Sequence, residues 1–193
     1  MRFKLDVIIV YVAGMVIKCL SLQKGVTTDL HVDKSSITAL TEVEQARATI
    51  IFGKENGKVV AISLHDKVKA LNEQFLPSKI TFMSSKGKYV ISACSGFIQI
   101  YDWERQKELL KFKTNDIGIQ TPKFTELLEN EKHLVIGDEQ GITVLDIISK
   151  TQKIVQPTLK IGNIYSLLKL PALNKTNQSV CATASTDGVV KLW

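Results

Sequence analysis

The chain is written in short apolar runs, some alternating with polar residues and some nearly continuous, separated by Gly, Asn, Asp, Ser and Lys. That period of two, with β-branched and aromatic residues in the runs, predicts strands. Residues 79–115 show the unit most clearly. Lys79–Met83 reads as a first strand, Tyr89–Cys94 as a second, Phe97–Tyr101 as a third and Glu108–Phe112 as a fourth. The second is apolar almost throughout, as a strand covered on both faces should be; the fourth alternates with Lys, as an outer edge strand should. The same order recurs downstream in Lys123–Leu128, His133–Ile136, Ile142–Leu145 and Gln152–Val155. Upstream it recurs in Ser36–Leu40, Ala48–Phe52, Val59–Ile62 and Val68–Leu71. Helical periodicity is hard to find; Thr41 to Arg47 holds helix-friendly residues but is short and poor in apolar positions.

Between second and third strands stand the turns Ala13-Gly14, Asn56-Gly57, Ser95-Gly96, Gln140-Gly141 and Asp187-Gly188, about every 40 to 47 residues. A repeat of this length carrying four strands is the mark of a β-propeller blade, because a twisted sheet with two apolar faces needs a neighbour on each side. The expected fold is therefore all-β: one propeller segment of about four to five blades, with approximate repeats 1–33, 34–75, 76–115, 116–160 and 161–193. The first repeat has only Phe3-Lys4-Leu5 for its first strand, and the last stops after three strands. Open strand edges and unstacked sheet faces are features soluble proteins avoid, so the expectation is an incomplete ring from a longer, seven-bladed protein. The apolar run from Val7 to Ile17 has the length of a signal-peptide core, but Ala13-Gly14 falls where the repeat demands a hairpin, and a buried hairpin is the expectation.

Composition leaves this picture in place: of 193 residues, 45% are hydrophobic and 23% charged, which calls for a packed core. The formal charge of +6 is diffuse. Lys54, Lys58, Lys67, Lys69, Lys86, Lys88, Lys107, Lys111 and Lys113 lie in separate turns and strand ends, where a solvated surface is expected, and Arg occurs as Arg2, Arg47 and Arg105. So little Arg argues against direct, sequence-specific nucleic-acid reading, which relies on the planar guanidinium fork. Cys19, Cys94 and Cys181 are scattered inside apolar runs, the pattern of reduced, buried thiols. His31, His65 and His133 are widely spaced, with turn or surface roles expected, and neither a P-loop, a G-x-G-x-x-G fingerprint nor an H-E-x-x-H helix is present. The carboxylates, such as Asp138-Glu139 in a hairpin turn, are explained by solvation. No enzyme activity, cofactor, metal or membrane association is expected.

The final segment, Ala182 to Trp193, resembles the end of a WD40 repeat. In that family a strand Ser, a turn Asp, a strand Trp and a His before the first strand form a hydrogen-bonded tetrad, and Ser185, Asp187 (followed by Gly188) and Trp193 match three of these places. The His is missing, since Lys160-Ile161-Gly162-Asn163 occupies its region. Tyr101-Asp102 and Leu145-Asp146 resemble the Trp-Asp pairs of earlier repeats with the Trp replaced. Independently of the family, Asn-Gly and Asp-Gly supply the positive φ a tight hairpin needs. Within the group, the second half resembles the PAK-interacting WD-repeat family of 60S ribosomal subunit assembly factors, on Gly96 to Tyr101, Leu134 to Gly141 and Ser179 to Trp193. That resemblance implies a non-catalytic scaffold in pre-60S biogenesis, located in the nucleus and nucleolus, with assembly factors or ribonucleoprotein as partners. The alternative is a WD40 adaptor in ubiquitin-ligase, trafficking or signalling complexes, with a cytoplasmic location. Trp103, following the Tyr101-Asp102 pair, is a candidate interaction anchor, with packing against Leu109 or the next blade as its structural reading.

Overall fold

The structure is a computed structural model that describes residues 8–43, 49–63, 69–119, 121–128, 132–138, 141–149, 152–155, 164–170 and 180–192. The chain runs through five antiparallel meanders. The first contains β1 (Ile8–Ala13), β2 (Val16–Ser21) and β3 (Val26–Val32); the second β4 (Ile37–Glu42), β5 (Thr49–Lys54), β6 (Lys58–Ser63) and β7 (Lys69–Phe75). The third contains β8 (Ile80–Lys86), β9 (Tyr89–Cys94), β10 (Phe97–Asp102) and β11 (Lys107–Lys113). The fourth contains β12 (Phe124–Leu127), β13 (His133–Gly137), β14 (Ile142–Asp146) and β15 (Gln152–Val155), and the last β16 (Ile164–Leu170), β17 (Val180–Ser185) and β18 (Val190–Leu192). One turn of 3-10 helix, Thr114–Ile117, joins the third sheet to the fourth.

The leading strands of successive sheets lie beside one another, β4 by β8, β8 by β12 and β12 by β16. The sheets therefore stack face to face around a common inner side, each strand of a sheet lying farther out than the one before. This is an all-β, WD40-type β-propeller architecture. The first sheet is the exception in composition: its Gly14 turn holds the place of Gly57 and Gly96, so β1, β2 and β3 are the second, third and fourth strands of a blade.

Alternation along the strands explains the stacking. In the third sheet Ile91, Ala93, Ile98 and Ile100 point to one side and meet Leu127, Leu134, Ile136 and Leu145 of the fourth. Val90 and Cys94 point the other way and meet Ile51, Val59 and Ala61 of the second. Phe52, Val60 and Ile62 of the second sheet in turn meet Ile17 and half-buried Val10 and Val12 of the first. Each fully buried Val, Leu, Ile or Phe among them contributes roughly 1.5–3 kcal/mol. Gly53 permits the close approach of the third sheet, because a Cβ there would overlap the side chain of Ile80.

Backbone irregularities recur as well. Thr38 and Thr81 are extra residues in the pairing of first with second strands, and their hydroxyls donate to the Gly53 and Ala93 carbonyls at 3.2 and 3.3 Å. Thr38 also donates to the Ile80 carbonyl of the next blade at 2.6 Å. A further extra residue appears in β3, β7 and β11, and each time it is a leucine: Leu30, Leu71 and Leu109. Such bulges sharpen strand twist. The chain leaves each blade under one repeated hydrogen bond: the N–H groups of Asp33, Leu76 and Thr114, each the first residue after an outer strand, donate to the turn carbonyls of Met15, Gly57 and Gly96 at 2.8, 2.9 and 3.0 Å. At Gly57, with φ of +83°, a side chain would strike the Leu76 carbonyl that this contact brings close.

Two expectations need correction. The first hairpin exists, turning at Gly14-Met15, but it is buried on one face only: Ile17 is covered by the second sheet, while Ile9 is 45% and Tyr11 38% exposed, because among the described residues no sheet covers their face. Thr41 and Glu42 of the helix-friendly stretch belong to β4, while residues 44–48 lie outside the described residues.

Candidate interaction surfaces

The residues resembling Trp-Asp pairs close the turns between third and fourth strands. Asp102 is buried at the end of β10, and its Oδ1 accepts the Arg105 N–H at 2.9 Å. Asp146 holds the same place in the fourth sheet, accepting the Ile148 and Ser149 N–H groups at 2.8 and 2.9 Å. These backbone donors hold its carboxyl below the usual carboxylate range. Ser21 stands in the corresponding place of the first sheet, where its Oγ accepts the Lys24 N–H at 3.1 Å. The following residues, Trp103 and Ile147, donate their N–H groups to the Lys88 and Lys132 carbonyls, both at 2.8 Å. Tyr101 and Leu145 are buried in the strands just before. In the last sheet, the exposed Asp187 accepts the Val189 N–H at 3.0 Å beside Gly188, whose φ is +77°. Ser185 ends β17 opposite Ile164. Trp193, residues 160–163 and His65 lie outside the described residues.

Trp103 is half-buried and packs on the cluster between the second and third sheets. With Ile51, Val59, Ala61, Val90, Ser92 and Tyr101 it lines a small pocket at that boundary. Further along the same face, Gln99 is buried and donates from Nε2 to Glu108 Oε2 at 2.8 Å.

The sequence reading missed a cluster of charge between the first two sheets. Lys54, expected on the surface, is only 8% exposed. Its Nζ lies 2.6 Å from Asp33 Oδ2, while His31 Nε2 lies 3.2 Å from the same oxygen. Asp33 Oδ1 accepts the N–H groups of Lys34 and Ser35 at 2.7 and 3.1 Å. Burial pushes the Asp33 carboxyl up, but the hydrogen bonds from Lys54, His31 and these two N–H groups outweigh it and hold the group well below the usual range. His31 also packs on Phe52, ring centroids 5.3 Å apart. The expected surface or turn role for His31 is thus replaced by a place in a blade-to-blade contact. Asp33, in the connection between the first two sheets, and Lys54, at the end of β5, are 21 positions apart, so no local spacing announces their pairing.

Among the described residues, no three His, Cys, Asp or Glu side chains converge as metal donors would, and no helix is long and apolar enough to cross a membrane. Cys94 is buried, Cys19 is half-buried, and both are free thiols. Large exposed apolar side chains gather instead on the first sheet and its turns: Ile9, Tyr11, Met15, Leu22, Val26 and Val32. At the other end Val189 and Val190 are exposed too. Of these, Ile9, Tyr11 and Met15 belong to the first hairpin, where burial was expected.

No family model matches the sequence, and no curated protein matches it. Solved structures do. A chain of the crystal structure of the mitotic checkpoint complex superimposes with a TM-score of 0.78 at 13% identity, over 96% of this chain and 56% of that one. The computationally designed Ika8 protein gives 0.69 at 19% identity, over 100% and 56%. The computationally designed Ika4 protein gives 0.63 at 18% identity, over 83% and 92%. The chain thus spans just over half the length of two of these. At such identities the likeness is one of fold, and it agrees with the blade topology: the chain folds as stacked β-propeller blades.

Proposed function

We propose that the protein is a non-catalytic scaffold that binds other proteins, and that its place of action is the assembly of the large ribosomal subunit in the nucleolus. The observation that carries the scaffold reading is the division of labour among side chains. Asp102, Asp146 and Asp187 close turns, Asp33 and Lys54 join two blades, and large apolar groups stand exposed on the first sheet. A rigid stack with exposed apolar side chains and many short turns presents surface to partners. The pre-60S role is supported by the resemblance of Gly96 to Tyr101, Leu134 to Gly141 and Ser179 to Trp193 to the PAK-interacting WD-repeat family. The likeness to a chain of the mitotic checkpoint complex, itself a protein assembly, favours a second reading as an adaptor elsewhere. Affinity purification of the tagged protein with mass spectrometry and a sucrose gradient separates them. Comigration with large-subunit precursors is expected; a different stable complex with no precursor proteins would replace the first reading by the second.

A further inference from the structure

Of the seven asparagines in the chain, Asn56 alone precedes a glycine. The pair has a chemistry of its own. The main-chain nitrogen after an asparagine can attack that residue's side-chain carbonyl carbon, and a glycine leaves the nitrogen sterically open because it has no Cβ. The bond from that carbon to the side-chain nitrogen breaks, and ammonia leaves with the proton the main-chain nitrogen gave up. Water then opens the cyclic imide at one carbonyl or the other, giving an aspartate or a β-aspartyl linkage with one extra carbon in the main chain. The net change is hydrolysis of a side-chain amide by water, with no oxidant or reductant.

The fold holds this reaction back. Asn56 is exposed to water, but its Oδ1 accepts the Lys58 N–H at 3.1 Å. Gly57 is buried, and its N–H donates to the Lys54 carbonyl at 3.1 Å. Both reacting groups are thus engaged elsewhere, and ring closure requires the turn to open. The Leu76 N–H closes the turn from outside, donating to the Gly57 carbonyl at 2.9 Å, and Leu76 is itself buried in the cluster between the second and third sheets. That junction has no room for an added atom: a carbon placed on Gly57 would strike the Leu76 and Ser78 carbonyls. The corresponding turns at Gly14-Met15 and Ser95-Gly96 hold no asparagine.

We propose that Asn56 is a deamidation site restrained by the fold, that release of the Leu76 contact admits the reaction, and that the β-aspartyl product prevents the contact from forming again. The longer main chain displaces Gly57 where the surrounding carbonyls leave it no space. A transient opening between the second and third blades is thereby made permanent and is recorded covalently, while the contacts of Asp33 and Thr114 at the other junctions stay as they were.

The test follows Asn56 by peptide mass spectrometry during incubation in mildly alkaline buffer, with isoaspartyl methyltransferase labelling to identify the β-aspartyl form. Conversion in the folded chain is expected to be about a hundredfold slower than in the urea-unfolded chain, since only opened molecules react. Leu76→Pro, which lacks the donor N–H, should speed conversion about fivefold while circular dichroism still shows the strand signal. Should that variant unfold, urea below the unfolding transition takes its place, and conversion should rise in step with hydrogen exchange at the Leu76 amide. The β-aspartyl form, purified by ion exchange, is expected to unfold at lower urea than Asn56→Asp, which carries the same new charge on an unaltered main chain; failure of the β-aspartyl form alone to refold would support the same conclusion. Equal rates in folded and unfolded chains, conversion indifferent to the Leu76 contact, or a β-aspartyl form as stable as Asn56→Asp would each overturn the proposal.

Discussion

The boundary between the first two sheets and that between the third and fourth are built on the same backbone plan from opposite materials. Ile91, Ala93, Ile98, Ile100, Leu134 and Ile136 fill the centre of the second boundary with aliphatic groups, edged by Phe82, Tyr89 and Phe112. The first sets Ile17, Phe52 and Val60 beside the Asp33, His31 and Lys54 cluster. An aliphatic boundary is insensitive to partner identity and to pH, and tolerates volume-conserving change. A buried ion pair adds little net stability over an apolar one, yet it is costly to break in half. The two boundaries should therefore respond differently to the same kinds of perturbation.

The largest difference is expected from Lys54→Met, which leaves the largely covered Asp33 carboxylate with its principal partner gone. A loss on the order of 4 kcal/mol is expected by urea unfolding, partly recovered when Asp33→Leu is added to it, since the leucine removes the stranded charge but also the acceptor of the Lys34 and Ser35 N–H groups. A loss below about 1 kcal/mol would show that the cluster is solvated like a surface pair. Next, Ile136→Ala at the aliphatic boundary should cost about 3 kcal/mol through lost burial and the cavity left behind, equally at neutral and acid pH. Acid itself is the third probe. The Asp33 carboxyl is depressed in the folded chain, so its contribution is complete above the ordinary carboxylate range, about pH 4, and is lost as pH falls toward the folded value. Wild-type stability should fall below about pH 4 more steeply than that of Asp33→Asn; parallel pH curves would remove the charge cluster from the explanation. The smallest effect belongs to Asp146→Asn, which keeps an acceptor for the Ile148 and Ser149 N–H groups while removing a depressed carboxyl. It should shift the thermal midpoint slightly at neutral pH and not at all below the carboxylate range.

Strands and turns were legible because they are local. Tyr89–Cys94, the Ser95-Gly96 turn and the strand from Phe97 carry alternation, β-branched residues and a glycine of positive φ within a few positions, and the structure has them there. Relations between blades were not legible. Ile9 and Ile50 look alike in sequence, and their burial differs because Ile50 has the first sheet against it, while among the described residues no sheet covers Ile9. Lys54 is written as an ordinary strand-end lysine, and only the stacking of two sheets brings it to Asp33. The bulges at Thr38 and Thr81 were hidden too, since a single extra residue leaves the apolar pattern of β4 and β8 almost unchanged. Trp103 shows where the two kinds of information meet. Its position after Tyr101-Asp102 was readable, whereas its packing on Ile51, Val59 and Ala61 depends on the second sheet.

The contacts of Asp33, Leu76 and Thr114 with the carbonyls of Met15, Gly57 and Gly96 in the preceding turns also have a mechanical meaning. Each one fastens the thread between two blades to the earlier blade just before the next begins. A chain pulled from its ends would load these fasteners in series, so blades should be extracted one at a time as a staircase of similar extension steps. Such a segment would serve under tension as a graded shock absorber, giving way by units while the remaining sheets stay shut.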